Sequence, residues 1–348
     1  MQIPFTDLHP RMSADTTRTV FACIVAIVAA GLTWSFWSAP QPIPSDLAQI
    51  WASARALLHH QNPYDVVGPG RSFEWRFPLL YPLTAVVALV PLAPFPLRLV
   101  DLIFVGLGFG LFTWAVTRRQ PDPPALAAVV SLAGLLTLQT SQWSLLLTGA
   151  ALVPTFGFLL IAKPTIGIAL FTAFPHWKTA VGCTVLLVLS LLIRPQWPHD
   201  WISNFASAPH VIAPIRGWGG PFLLLALLKW RRADARLLLA MACIPHTPAP
   251  YETIPLFLIP QTWAQAWTLW ALDIAAFAGQ VVSGPYVTAA AAWISGAQWE
   301  VALLYLPCLA IVLLRPNTWS SVYGGDERGP VRKRSGISTK RPDQRLPR

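Results

Sequence analysis

The chain has 348 residues, 54% of them hydrophobic and 11% charged, and a formal net charge of +10. A soluble domain carries about a quarter charged residues, so this composition excludes a large soluble protein and points to an all-α, polytopic membrane protein. The charge does not point to nucleic acid: eight basic residues sit in the closing stretch DERGPVRKRSGISTKRPDQRLPR, which lacks apolar periodicity and reads as a disordered tail.

Taken in chain order, residues 1–19 carry Arg11 and Arg18 and read as a cytoplasmic N-terminus. The apolar run 20–37 is long enough to cross a bilayer and no small-residue cleavage site follows it, so it reads as a retained first span. Residues 38–96 read as one extracytoplasmic segment. Within it, Asp46, Gln49, Ser53 and His60 share one helical stripe while Leu47, Ile50, Trp51, Ala54 and Leu58 lie opposite, the pattern of an amphipathic helix on the bilayer surface. Asp46 then has two readings: an N-terminal cap, or a carboxylate facing a cleft over the membrane. The run 79–96 holds four prolines and suits a re-entrant or interfacial piece better than a span.

The span 97–117 ends on Arg118 and Arg119, which belong inside, and 126–138 leads out to Gln142. Only about one span fits between Gln142 and Lys163, so positive charge places Lys163 near the inside, ahead of His176 and Lys178. Runs at 180–193, 221–228, 237–244, 254–259, 267–282 and 301–314 complete about ten crossings, with residues 20–315 as one transmembrane domain and 316–348 as a basic cytoplasmic tail. No repeat of fixed period is evident. This topology gathers Asp46, His59, His60, Asp65, Glu74, Arg76, Gln142, Asp200, Arg216, His246, Tyr251 and Glu252 on the extracytoplasmic side, as a binding cleft requires. Only Asp273 and Asp101 read as intramembrane acids. The four cysteines are dispersed singly, and adjacent His59 and His60 point to different faces, so no metal site is expected.

Ser45-Asp46, Asn62-Pro63-Tyr64-Asp65 and Phe77-Pro78-Leu79-Leu80-Tyr81-Pro82-Leu83 resemble the N-terminal signature of glycosyltransferase family 87, whose members are GT-C-fold enzymes that include polyprenyl-phosphate-mannose-dependent mannosyltransferases. Ser141-Gln142-Trp143-Ser144 stands where the family tends to have Gly-Gln-x-Asn. Ala162-Lys163-Pro164 stands for its Lys-Pro, residues 197–205 for a loop of the Trp-x-x-Tyr type, and Pro245-His246 with Tyr251-Glu252 for a late extracytoplasmic loop. The resemblance covers about residues 20–262. It implies a GT-C-like bundle with extracytoplasmic interfacial helices in the cell membrane, and a hexosyltransferase that moves a hexose, mannose favoured, from a polyprenyl-phosphate donor to a lipid or glycan acceptor. No cofactor is expected beyond that lipid-linked donor. Asp46 matches the family's acidic residue, as general base. Tyr64, Asp65, Glu74, Arg76, Tyr81, Gln142, Lys163, Arg216, His246, Tyr251 and Glu252 are the candidate donor- and acceptor-binding residues, and the resemblance places Lys163 outside, near the donor, against the charge-based topology. A transporter or lipid flippase, and a non-catalytic envelope scaffold of the same fold, are the competing readings.

Overall fold

The computed structural model of the chain describes residues 13–38, 45–206, 211–283 and 296–316. The basic tail and the first twelve residues therefore lie outside the described residues. The regular structure among the described residues is helical apart from a two-residue parallel pair, β1 (Val67–Gly68) with β2 (Phe73–Glu74), and an isolated antiparallel bridge between Ile212 and His246.

Among the described residues three helices are long and apolar enough to cross a membrane: α1 (Ala14–Trp37), α5 (Leu97–Arg119) and α13 (Gly296–Leu314). A fourth results if α9 (Trp177–Ile193) and α10 (Trp197–Ala206) count as one broken span, bent by 98° between Trp177–Ile193 and Trp197–Asn204. This differs from the expected ten crossings. Many of the other apolar runs fold as short helices such as Leu83–Leu92, Pro164–Ala173 and Gly220–Lys229, because prolines and glycines interrupt them before they reach the roughly 20 residues that a bilayer requires. The one-turn α3 (Pro63–Val66), α11 (Ala233–Cys243) and α12 (Trp263–Val282) complete the α-helices outside the site segments described below.

The helices assemble around α5. Its Gly106 and Gly110 lie four apart on one face, against Ala22 and Ala26 of α1, and a Cβ at Gly110 would come within 3.0 Å of the Ala26 methyl. Small residues at this spacing let two helix backbones approach closely where lipid offers no hydrophobic driving force. Another face of α1, with Val20, Ile24, Ile27 and Val28, is apolar and exposed, Ile27 to 71%, as a lipid-facing helix should be. On the opposite side of α5, Gly149 of α7 (Ser144–Leu152) meets the backbone of Phe112, and an added Cβ would stand 2.8 Å from the Phe112 nitrogen. Gly149→Val is therefore expected to prise α5 from α7 and lower the melting temperature of the detergent-solubilised protein. The loss should be at least the 1–3 kcal/mol typical of overpacking; an unchanged melting temperature would show that the contact is not tight.

The helix α2 (Leu47–Leu58) corrects the surface-helix expectation. Gln49 and Ser53 are buried along with Leu47, Ile50 and Ala54, so both faces pack against protein rather than one against lipid. His60 falls beyond the helix end, with a φ of 59°. In the run 79–96, α4 (Leu83–Leu89) and one 3₁₀ turn (Val90–Leu92) make about 15 Å of helix, half a bilayer. About 27 Å of α5 separates Asp101 from Arg119. Single cysteines at Arg71 and Arg119, with Cys23, Cys183, Cys243 and Cys308 replaced, should react with an impermeant thiol reagent from opposite faces of the membrane. Labelling from one face would mean that 79–96 crosses.

The expected span 126–138 is split into a 3₁₀ helix, Pro124–Val130, and α6 (Leu132–Thr140) at the bend of Ser131. Between Gln142 and Lys163 the chain makes a short hairpin instead of one span: α7 goes out for nine residues, and a 3₁₀ helix, Gly157–Ala162, returns. The return carries Lys163 back beside Gln142, which overturns its charge-based placement on the opposite face.

Candidate functional site

Asp46 is anchored through its neighbours. The Ser45 hydroxyl donates to Asp101 Oδ1 at 2.7 Å and accepts from the Leu47 amide at 3.1 Å, so serine rather than aspartate caps α2. Trp37 Nε1 donates to the other Asp101 oxygen at 3.0 Å, tying the end of α1 to the same carboxylate. The Asp46 amide donates to the Thr140 carbonyl at 2.9 Å, and its own side chain makes no capping bond. The cap reading of Asp46 thus fails on geometry, and its carboxylate is left for something else.

That partner is Gln142, whose Nε2 donates to Asp46 Oδ2. Gln142 is set by the end of α6: Ser141 adopts the left-handed conformation, φ 52°, and the Gln142 amide donates to the Thr137 carbonyl at 3.0 Å. Glycine is the residue that adopts this conformation without strain, which gives a physical reason for the glycine of the resembled motif at a position held here by serine. Gln142 Oε1 accepts from Lys163 Nζ at 3.2 Å, and Lys163 Nζ stands 2.6 Å from Glu252 Oε1. The lysine and the carboxylate between them fix the amide, oxygen to the cation and nitrogen to the acid. Four residues from four separate elements make one chain: Asp46, Gln142, Lys163, Glu252.

Lys163 follows the 3₁₀ turn and precedes Pro164 of α8 (Pro164–Ala173), which forces it out of the helical region, φ −137°, ψ 85°. Its ammonium lies 5.2 Å from the centre of the Tyr251 ring and 5.9 Å from that of Tyr81, on aromatic faces that favour a cation. Glu252 stands early in the 3₁₀ helix Pro250–Leu258 and is 2% exposed; among the described residues its Oε2 has no hydrogen-bond partner.

Asp46, Tyr81, Lys163, Tyr251 and Glu252 line a cavity of about 350 Å³, with Arg76 on its wall and aromatic surface from Trp75, Phe77 and Trp201. Its floor passes along the irregular stretch from Leu79 to Tyr81, whose three carbonyls accept from Asn204 Nδ2 (3.2 Å), Trp201 Nε1 (2.8 Å) and the Tyr64 hydroxyl (3.1 Å). Segment 197–205, expected as a loop, belongs to the helix α10, which clamps this stretch from outside. Burial raises the Asp46 carboxyl to about 6; Lys163 and the Gln142 hydrogen bond pull it down and Glu252 pushes it up. Burial likewise raises the Tyr81 phenol well above its usual value.

The other expected site residues fall elsewhere. Tyr64 is buried beneath the cavity wall, where it holds the Tyr81 carbonyl. Asp65 accepts from Asn62 at 2.7 Å and Glu74 accepts from the Gly70 amide at 2.9 Å, both exposed and local. Arg216 is exposed and outside the cavity lining. His246 is buried; its Nδ1 donates to the Thr247 carbonyl at 3.0 Å, so a neutral ring accepts at Nε2 from the Tyr305 hydroxyl, 2.8 Å away. It supports Thr247, which does line the cavity. Thr140, Thr165, Trp75 and Thr247 also line the cavity and are absent from the residues expected there. The aromatic Trp75 beside Phe77 and the threonine after Lys163-Pro164 were the available signals. Among the described residues no cluster of three or more His, Cys, Asp or Glu could hold a metal ion.

Fold and site together define an all-α protein with membrane-length apolar helices and a buried acid–amide–ammonium–acid chain on a cavity wall. Compared with known proteins, the chain matches no family model, no curated protein and no solved structure.

Proposed function

We propose that the protein is a membrane glycosyltransferase of the kind that its motifs resemble, moving a hexose from a polyprenyl-phosphate donor to a hydroxyl of a lipid or glycan on the extracytoplasmic side. The observation that carries the reading is the convergence of Asp46, Lys163 and Glu252 on one aromatic-walled cavity, with Gln142 behind the wall bonded to both Asp46 and Lys163. These four come from three separate motifs of the resemblance and from its late loop, with up to 206 positions between them in sequence, from Asp46 to Glu252. A cavity of about 350 Å³ falls within the range of small-molecule sites.

In the proposed reaction Asp46 takes the proton of the acceptor hydroxyl as its oxygen attacks the anomeric carbon. The bond from that carbon to the phosphate oxygen breaks, and the polyprenyl phosphate leaves with the electron pair. A carboxyl poised near 6 is largely ionised at neutral pH yet basic enough for the task. Lys163, within the site, and Arg76, on the wall, supply positive charge for the departing phosphate. The lipid tail has a matching surface: an apolar groove of about 780 Å³ between α1 and α5, walled also by Leu146, Phe158 and Trp143, the last adjacent in sequence to Gln142.

The transporter reading draws less support. Of its intramembrane acids, Asp101 holds Ser45 and Trp37, and Asp273 of α12 accepts through Oδ2 from the Ala133 amide at the start of α6, at 2.9 Å; neither lines the cavity. The deciding assay incubates the purified protein in nanodiscs with radiolabelled polyprenyl-phosphate mannose, glucose and galactose and a crude lipid-acceptor extract. Transfer of label to a lipid or glycan product is expected with one donor. Absence of transfer with all of them, from folded protein, would sink the reading.

A further inference from the structure

Glu252 is the member of the four-residue chain with a buried carboxylate oxygen that nothing answers among the described residues. Oε1 is held by Lys163 at 2.6 Å, while Oε2 lacks a partner, in a side chain 3% exposed on the cavity wall. A buried acceptor left without a donor costs the fold free energy, so such an atom in a binding cavity marks the position at which a ligand brings an O–H or N–H group. A carboxylate can only accept, which restricts the ligand to a donor at that point. The last torsion of glutamate is broad and two-fold, so a small rotation turns Oε2 to the cavity while Oε1 keeps Lys163. The same cavity is lined by Tyr81, Tyr251, Trp75 and Trp201, flat apolar surfaces of the kind against which the C–H face of a sugar ring rests.

Resting on the sugar-transfer reading, we propose that Glu252 is a specificity-determining residue, its free oxygen receiving one particular ring hydroxyl of the hexose. Oε1 at the same time holds the Lys163 ammonium over the Tyr251 ring. One carboxylate thereby reads the sugar and fixes the cation that faces the phosphate. A site built to bond a hydroxyl rejects the analogue lacking it, because the buried acceptor is then left bare.

The test needs no turnover. The full chain in detergent is titrated with methyl hexopyranosides and each of their monodeoxy derivatives, with tryptophan fluorescence as the readout. In the wild type, removal of one hydroxyl should weaken binding roughly ten- to a hundredfold, the range of a hydrogen bond to a charged group, with smaller losses at the other positions. Glu252→Ala should abolish that single discrimination. Glu252→Gln, of equal volume, should reduce it to a few-fold and carries the test where Glu252→Ala does not fold. A wild type indifferent to every deoxy position, no glycoside binding at all, or a variant with the unchanged deoxy ranking would each overturn the proposal. Glu252-dependent binding in a protein that transfers no sugar would leave this assignment standing and count against the transferase reading alone.

Discussion

Asp46→Asn is expected to lower sugar transfer by about a hundredfold or more with the fold intact, since a positioned general base contributes roughly 10²- to 10⁴-fold and asparagine cannot take the proton. The fold should survive because the anchors of this residue are its backbone amide on Thr140 and the Ser45–Asp101 clamp, neither of which the substitution touches. Transfer by the wild type should rise with pH through about 6 and then level, as the carboxyl ionises. The groups that face it are Lys163, Gln142, Glu252 and Tyr81. The Glu252 charge is one of those holding the Asp46 value up, so Glu252→Gln should move the limb to lower pH. Stability should move the other way. A carboxyl raised from its usual value to about 6 favours the neutral form in the fold, so its contribution is fully present below about pH 4 and is lost as pH rises through about 6. At pH 7.5 the ionised group costs roughly 3 kcal/mol, a cost that asparagine removes. Melting curves should therefore show the variant at least as stable as the wild type at pH 7.5, with any advantage shrinking towards pH 5. Near-normal transfer by folded Asp46→Asn protein would end the assignment.

Local chemistry was legible where the sequence spoke for itself, and assembly was not. The motifs containing Asp46, Gln142, Lys163 and Glu252 could be picked out one at a time. Charge asymmetry put Lys163 across the membrane from Gln142 because the rule assumes that a stretch of some twenty residues crosses once. The hairpin of α7 and the Gly157–Ala162 turn breaks that assumption, and what permits it is Gly149 lying flat on the Phe112 backbone, a contact that no periodicity announces. The polar stripe of α2 is a stripe in the fold as well, but Gln49 and Ser53 turn out to be buried inside protein. An alternating pattern says which residues share a face and nothing about whether water or another helix covers it. Asp101 and Asp273 could be read from the sequence only as intramembrane acids; the groups they bond, Ser45, Trp37 and the α6 amide, are distant in sequence.

Lys163→Met should be the most damaging single change, and on two counts that a second substitution separates. Methionine keeps the apolar stem and removes the ammonium, so Glu252 is left buried without its cation. Breaking a buried pair from one side costs about 3–5 kcal/mol, and both side chains here are largely buried, 12% and 3% exposed. Gln142 loses the donor that fixed its oxygen, so the amide that faces Asp46 is free to turn over. Transfer should fall by about 10²- to 10³-fold, the scale of removing one preorganised group from developing negative charge. In Lys163→Met with Glu252→Gln the acid that lost its ion pair is itself neutral, and much of the melting temperature should return while transfer stays low. Recovery of both would mean that the ammonium serves only to neutralise Glu252. Recovery of stability alone, with transfer below that of Glu252→Gln by itself, places Lys163 in the chemistry, because the pair of substitutions that repairs the fold has no means of restoring positive charge where the phosphate leaves.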